Sequence, residues 1–250
     1  MRLLLTNDDG ISAKGIYALA KELQKDHEVI IVAPDSERSA CGHSITITRP
    51  LIVREMKISG LKSKAFSVNG TPADCVKIAI NKLIDGEIDM VISGINKGLN
   101  LGTDVLYSGT VSAAIEAAIY KIPSMAVSME IKKNIETYEM AAKYAGEILL
   151  TAKENNISSD IVLNVNIPLL KEDEIKGIKV CKMGSRLYNN RYLETIGENN
   201  ETQYEIKGEV KDIHDEDSDT IYFKEGYVTV TPLHYDLTNY KILNETCKWF

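Results

Sequence analysis

A chain of 250 residues, 44% hydrophobic and 26% charged, has an ordinary globular composition and is long enough to bury a substantial core without covalent staples. A formal net charge of −7 argues against a surface built for nucleic acid or anionic membrane. The four cysteines, Cys41, Cys75, Cys181 and Cys247, are scattered with no CxxC spacing, and the amino-terminal apolar run, Leu3 to Leu5, is too short for a signal-peptide core. No later stretch approaches a membrane span, so the expectation is a soluble protein of the reducing cytoplasm, with no disulfide framework and no cysteine zinc site.

Arg2 to Thr6 is a short apolar run of the kind that forms a parallel strand buried on both faces. Ile16, Leu19, Ala20 and Leu23 then fall at i, i+3, i+4 and i+7, which predicts an amphipathic helix. Val29 to Ala33 reads as a second strand that stops at Pro34. A polar stretch, Asp35 to Ser44, follows, and then β-like segments at Ile45 to Ile47, Leu51 to Arg54 and Phe66 to Val68. Thr71-Pro72-Ala73-Asp74 predicts a helix start with a capping threonine, a proline at the first helical position and an aspartate placed to close a capping box. That helix runs to about Leu83 and leads to a third buried strand, Met90 to Ser93. A helix over Val111 to Tyr120, a strand over Ser124 to Ser128, a helix from about Asn134 to Asn155 and a strand over Ile161 to Val165 continue the alternation.

Strands alternating with helices imply a mostly parallel, Rossmann-like α/β sheet with right-handed crossovers and helices on both faces. Beyond Pro168 the pattern becomes polar and β-leaning. Ile178 to Cys181, Gln203 to Ile206, Ile221 to Phe223 and Tyr227 to Thr231 are assigned to antiparallel hairpins, and Asp236 to Phe250 to a terminal helix. The expected division is a catalytic core over residues 1–168 and a hairpin and helix region over residues 169–250.

Ligands of open α/β sheets bind beyond the carboxyl ends of the strands. The first strand ends in Asn7-Asp8-Asp9-Gly10, the second leads into Asp35 to Ser44, and the third ends in Ser93-Gly94-Ile95-Asn96. Adjacent carboxylates repel unless a cation sits beside them, and hard divalent ions favour carboxylate, amide and hydroxyl oxygens. The same four residues also make good turn chemistry before a helix, so both readings stand at this point. Tyr107-Ser108-Gly109-Thr110 opens a helix whose amides and hydroxyls suit a phosphate; an ordinary helix cap explains it equally well. GxGxxG is lacking after the first strand and GxxxxGK[ST] is absent, which disfavours a dinucleotide site and excludes a P-loop. A receiver domain needs a phospho-acceptor aspartate at the end of the third strand, where Ser93 to Asn96 stand instead.

Taken in order, LLTNDDGI (residues 4–11), APDSERSACGHSITIT (33–48), GTPADCV (70–76), VISGINKG (91–98), NLGTDVLYSGTVSAA (100–114), IPSMAVS (122–128), NVNIP (164–168) and GYVTVTPL (226–233) resemble the survival protein E (SurE) family of nucleotidases over nearly the whole chain. The resemblance implies metal-dependent hydrolysis of nucleoside 5′- and 3′-monophosphates, with short polyphosphate as a further substrate. It implies one divalent cation per subunit, magnesium or manganese, on Asp8, Asp9, Ser39 and Asn96, with Asp8, Asp9 and Asn96 as the catalytic set. Phosphate contacts are carried onto Asn7, Ser39, Ala40, Ser108, Gly109 and Thr110. A homodimer or homotetramer with exchanged carboxy-terminal segments is implied as well, without nucleic-acid or membrane partners. Ser112 stands where glycine is frequent, and residues 182–219 match weakly.

The expected reaction is in-line hydrolysis, with Asp8 or Asp9 orienting water and amides near Ala40 and Gly109 receiving the equatorial oxygens. His43 is a candidate general acid, although loop histidines are usually structural. Lys97 reads as a surface lysine with a possible part in steering phosphate, and Cys41 has no assigned role. Two rival functions are a phosphatase for another small phosphoester and a non-catalytic nucleotide or metal sensor.

Overall fold

The computed structural model describes residues 1–132, 137–197, 199–213 and 215–250. Among the described residues a nine-stranded sheet organises the chain. The first strands are β1 (Arg2–Thr6), β2 (Glu28–Pro34), β3 (Val53–Met56) and β4 (Lys64–Val68). They are followed by β5 (Met90–Lys97), β6 (Ser124–Met129), β7 (Val162–Ile167) and β8 (Ile178–Val180). A separate ribbon pairs β9 (Arg186–Ile196) with β10 (Thr202–Asp212), and β11 (Val228–Leu233) returns to the main sheet. The sheet order is β3-β4-β2-β1-β5-β6-β7-β11-β8. From β4 through β7 neighbouring strands run parallel, while β3 and β11 pair antiparallel with β4 and β7.

Burial on both faces explains the unbroken apolar runs. Leu3 and Leu5 enter one core with Ile16, Leu19 and Leu23 of α1 (Lys14–Leu23) and Ala141, Ala145 and Leu149 of α4 (Glu139–Glu154). Leu4, between them in β1, enters the opposite core with Cys75 and Val76 of α2 (Pro72–Ile78) and Ala113 and Ala117 of α3 (Gly109–Ile119). The period of two along a strand therefore feeds both layers. The close approach of α1 depends on Gly15, where a Cβ would lie 2.0 Å from the Ile95 carbonyl oxygen. The capping box at α2 is present: the Asp74 amide donates to Thr71 Oγ1 at 3.1 Å and the Thr71 amide to Asp74 Oδ2 at 2.9 Å.

Several sequence expectations shift. Ile45 to Ile47 is not a strand, and β5 continues to Lys97 through the site instead of stopping at Ser93. The helix expected from Asn134 begins at Glu139, and its expected positions 134–136 lie outside the described residues. Ile221 to Phe223 belongs to a helix, α5 (Asp219–Lys224), not to a hairpin strand; Ser218 and the acidic Asp219 favour a helix start. The segment Ile178 to Cys181 supplies β8, which pairs parallel with β11 and not antiparallel. The terminal helix is confined to α6 (Tyr240–Thr246). Among the described residues no helix is long and apolar enough to cross a membrane.

Candidate active site

The strand order reverses at β1: the chain builds outward through β2 and β4, then crosses back to place β5 on the other side of β1. The crevice beyond the carboxyl ends of β1 and β5 is thus a topological switch point, where open α/β sheets bind ligands. Asp8 and Asp9 leave the end of β1, and Asn96 and Lys97 close β5. The loop after β2 is tied in by the Arg38 amide, which donates to the Asp8 carbonyl at 2.7 Å, and the amino terminus of α3 completes the crevice. The resulting cleft, about 280 Å³, brings together Asp8, Ser39, Ala40, Asn96, Lys97 and Ser108, with Asn100, Asp104, Tyr107 and Tyr188 on its walls.

Asp8 is buried directly under the first turn of α3. The Thr110 hydroxyl donates to Asp8 Oδ1, and the Thr110 amide also bonds this carboxylate. Gly109 makes the approach feasible, because a Cβ there would sit 2.9 Å from Asp8 Cβ and 3.0 Å from both Asp8 Oδ2 and Cys41 Sγ. Burial raises the Asp8 carboxyl to about 6, the hydrogen bonds from Thr110 oppose that rise, and the neighbouring charge of Asp9 adds to it. Burial also lifts Asp9, whose Oδ2 accepts the Lys97 amide at 3.0 Å and whose surroundings include the Glu37 carboxylate.

The other predicted residues divide by what they touch. Ser39 is exposed and its hydroxyl donates to Glu37 Oε1 at 2.6 Å. Ala40 holds a left-handed φ of 53°, a conformation that costs a residue with a side chain about 1–3 kcal/mol and is often found at functional loops. The Asn96 amide nitrogen donates to the Gly98 carbonyl at 3.0 Å, which leaves its oxygen as the group suited to a cation. Ser108 caps α3, accepting from the Val111 amide at 3.1 Å. Asn7 is fully buried, does not line the cleft, and its amide closes the turn by donating to the Gly10 carbonyl at 2.9 Å. Ser112 is buried with its hydroxyl donating to the Ser108 carbonyl at 2.6 Å, so the departure from glycine is accommodated inside the helix.

His43 does not line the cleft. Its Nε2 lies 2.7 Å from Glu116 Oε2 on α3, and Lys77 Nζ lies 3.0 Å from the other carboxylate oxygen. Burial acts to raise Glu116, but the hydrogen bonds from His43 and Lys77 outweigh it and hold the carboxyl below its ordinary value. Burial, and then the charge of Asp8, push the Cys41 thiol up, so it is a protonated and poorly nucleophilic neighbour.

Sequence reasoning passed over the residues that fasten the cleft from afar. Asn166 grips the backbone of Asn100, its Oδ1 accepting the amide at 2.8 Å and its Nδ2 donating to the carbonyl at 3.1 Å; Asn164 Nδ2 donates to that carbonyl at 2.8 Å. Their signal was the amide-rich NVNIP at the end of a buried strand. Asp104 pairs with Arg186 across 82 positions, a separation at which no local pattern points to the contact.

A divalent cation is tested by the donors present. Among the described residues no group of three or more His, Cys, Asp or Glu side chains could hold a metal. The set at hand is two carboxylates, one hydroxyl and one amide oxygen, all hard donors. The two adjacent carboxylates both carry a burial cost that a cation would relieve. That donor chemistry fits magnesium or manganese and not a soft metal.

Comparison with known proteins identifies the family. Residues 3–190 match the family model described as Survival protein SurE. A protein of Clostridium tetani (strain Massachusetts / E88) named 5′-nucleotidase SurE is 54% identical over 250 residues, covering 100% of both chains. A protein of the same name from Clostridium botulinum (strain ATCC 19397 / Type A) is 55% identical over 252 residues, covering 100% of this chain and 99% of its own. The crystal structure of the SurE protein from Aquifex aeolicus superposes with a TM-score of 0.86 at 42% identity, covering 100% of this chain and 99% of that one.

Proposed function

The chain belongs to the survival protein SurE family, and from that membership we propose that it is a 5′-nucleotidase, a phosphoric monoester hydrolase that converts nucleoside monophosphates to nucleoside and phosphate. The observation that carries the reading is Asp8, a buried carboxylate held beneath the amino terminus of a helix and beside Asp9, in one cleft with Ser39, Asn96 and Ser108.

Asp8, Asp9, Ser39 and Asn96 are the residues that would hold one magnesium or manganese ion. When bound, that cation supplies positive charge that polarises a phosphoryl oxygen and acidifies water. The amino terminus of α3 directs its dipole at the phosphate, with the Gly109 amide and the Ser108 hydroxyl as donors to the equatorial oxygens. Ala40 offers a backbone amide from the opposite loop. Thr110, committed to Asp8 through both hydroxyl and amide, fixes the carboxylate instead of gripping phosphate. Asp8 or Asp9, ionised, orients the attacking water and accepts its one proton. Nucleoside 3′-monophosphates and short polyphosphate are further substrates in this scheme.

Residues 1–168 carry the catalytic core in this reading, β8 and β11 from residues 169–250 widen its sheet, and the remainder of that region, chiefly the ribbon and the carboxy terminus, serves assembly. The ribbon exposes Leu187, Tyr192, Leu193, Ile196, Tyr204 and Ile206, and an isolated two-stranded ribbon is marginal in water. The carboxy terminus likewise exposes Leu237, Tyr240 and Trp249. Both features support a homodimer or homotetramer with exchanged carboxy-terminal segments, in the cytoplasm, where four free thiols persist.

The test is phosphate release from a panel of nucleoside monophosphates with Mg²⁺, Mn²⁺ or EDTA, for wild type and Asp8→Asn. Metal-dependent release lost by at least 100-fold in the variant is expected, on the order of the cost of removing a transition-state contact. Nucleotide binding without release under any metal would replace the enzyme by a sensor.

A further inference from the structure

The cleft is chemically two-sided. Asp8, Ser39, Asn96, Asn100 and Ser108 make one part polar, while two tyrosines, Tyr107 and Tyr188, line the same space. Tyr107 is 64% exposed and Tyr188 43% exposed, an open aromatic surface next to a charged site. Aromatic faces left to solvent in a ligand cleft are the groups that take flat, apolar parts of a ligand.

Both residues are anchored before any ligand arrives, and Asp104 is the common anchor. The Tyr107 amide donates to the Asp104 carbonyl at 3.0 Å, and the Tyr107 carbonyl accepts the Gly42 amide at 3.1 Å. The Tyr188 hydroxyl donates to Asp104 Oδ1, while Arg186 holds Asp104 Oδ2 at 2.7 Å with both charged side chains largely buried. Thr103 Oγ1 donates to the Arg186 carbonyl at 2.8 Å, and the buried Asp219 carboxylate accepts the amides of Gly102 at 2.8 Å and Gly184 at 2.9 Å. The base of the ribbon is therefore locked to the loop before α3 by contacts that do not need the Tyr188 ring. A ring on so fixed a mount loses little freedom when something stacks on it.

We propose that Tyr107 and Tyr188 form the leaving-group subsite of the cleft and bind the nucleobase of the substrate by stacking. This deepens the nucleotidase reading and rests on it. Stacking uses the π-face that every base has, so the subsite separates nucleotides from base-free phosphoesters more strongly than it separates one base from another. It also gives the ribbon a part in substrate choice, although its tip lies in the assembly region.

The experiment compares kcat/KM for adenosine monophosphate and for ribose 5-phosphate, which carries the same phosphoester without a base, in wild type, Tyr107→Ala, Tyr188→Ala and Tyr188→Phe. Each alanine variant is expected to lower the ratio of the two values about tenfold, mainly through KM for the nucleotide, the size of a lost base–aromatic stack. The phenylalanine variant keeps the ring and is expected to keep the ratio. A ratio unchanged in both alanine variants overturns the proposal. So does a ratio that falls as far in Tyr188→Phe as in Tyr188→Ala, because the hydroxyl bond to Asp104 would then be the active element. Wild type that releases phosphate from neither compound overturns the nucleotidase reading itself.

Discussion

Gly109→Ala perturbs the site by a single methyl group, and the geometry says where it goes. The new Cβ would stand 2.9 Å from Asp8 Cβ, a separation real Cβ atoms essentially never keep, and 3.0 Å from Asp8 Oδ2 and Cys41 Sγ, both tighter than nearly all real contacts. Either α3 lifts away from β1 or the Asp8 carboxylate is displaced, by about 0.5 Å to restore ordinary contact between carbon atoms. A misplacement of about 1 Å costs roughly 100-fold in rate, so kcat/KM is expected to fall at least about tenfold. Overpacking adds a stability cost of about 1–3 kcal/mol. Gly146→Ala is the control. It lies within α4, has only Leu23 Cδ2 near its Cβ position, at 3.8 Å, and is expected to gain about 0.5–1 kcal/mol with activity intact. The assay is kcat/KM with manganese alongside urea unfolding of both variants. Full activity in Gly109→Ala, at wild-type stability, would refute the claim that α3 must touch Asp8 to form the site.

Asp8→Asn makes a second prediction, about pH. The folded value of Asp8 is raised from 3.8 to about 6, so the folded state holds the proton more tightly and the metal-free protein loses stability as pH climbs through that window. The loss is complete above about pH 6 and amounts to about 3 kcal/mol at most. Asp8→Asn is therefore expected to melt higher than metal-free wild type at pH 7.5 and at about the same temperature at pH 3.5; a lower melting point at pH 7.5 would contradict it. Asn166→Leu is expected to cost about 1–3 kcal/mol by stranding the buried Asn100 amide, and to reduce turnover because Asn100 lines the cleft. Chemical denaturation reads the first effect, and a change below about 0.5 kcal/mol would show that the clamp is dispensable.

What the chain says by itself is local and periodic. Leu3 to Leu5 and Val29 to Ala33 read as buried strands because both faces are covered, and Ile16, Leu19, Ala20 and Leu23 as a helix because one stripe is apolar. Thr71 to Asp74 announces its own cap. The polar residues at strand ends stand out for the same reason: apolar runs stop abruptly at Asn7 and at the loop after Pro34. The ordered motifs around them carry the family, and with it the reaction.

Tertiary structure decided everything whose cause lies far away in sequence. Ile221 to Phe223 has strand-like side chains yet lies in α5, whose Asp219 is buried and bonded to the distant Gly102 amide. β9 was invisible because its residues from Leu187 to Ile196 are exposed on both faces, and a ribbon without a buried side writes no alternation into its sequence. The parallel pairing of β8 depends on where β11 falls beside β7. His43 meets Glu116 across 73 positions and Gly102 meets Asp219 across 117, and neither pairing leaves a pattern in the residues between. Local chemistry named the residues proposed to handle phosphate and metal; only the folded chain could show which side chains hold those residues still and which two tyrosines line their cleft.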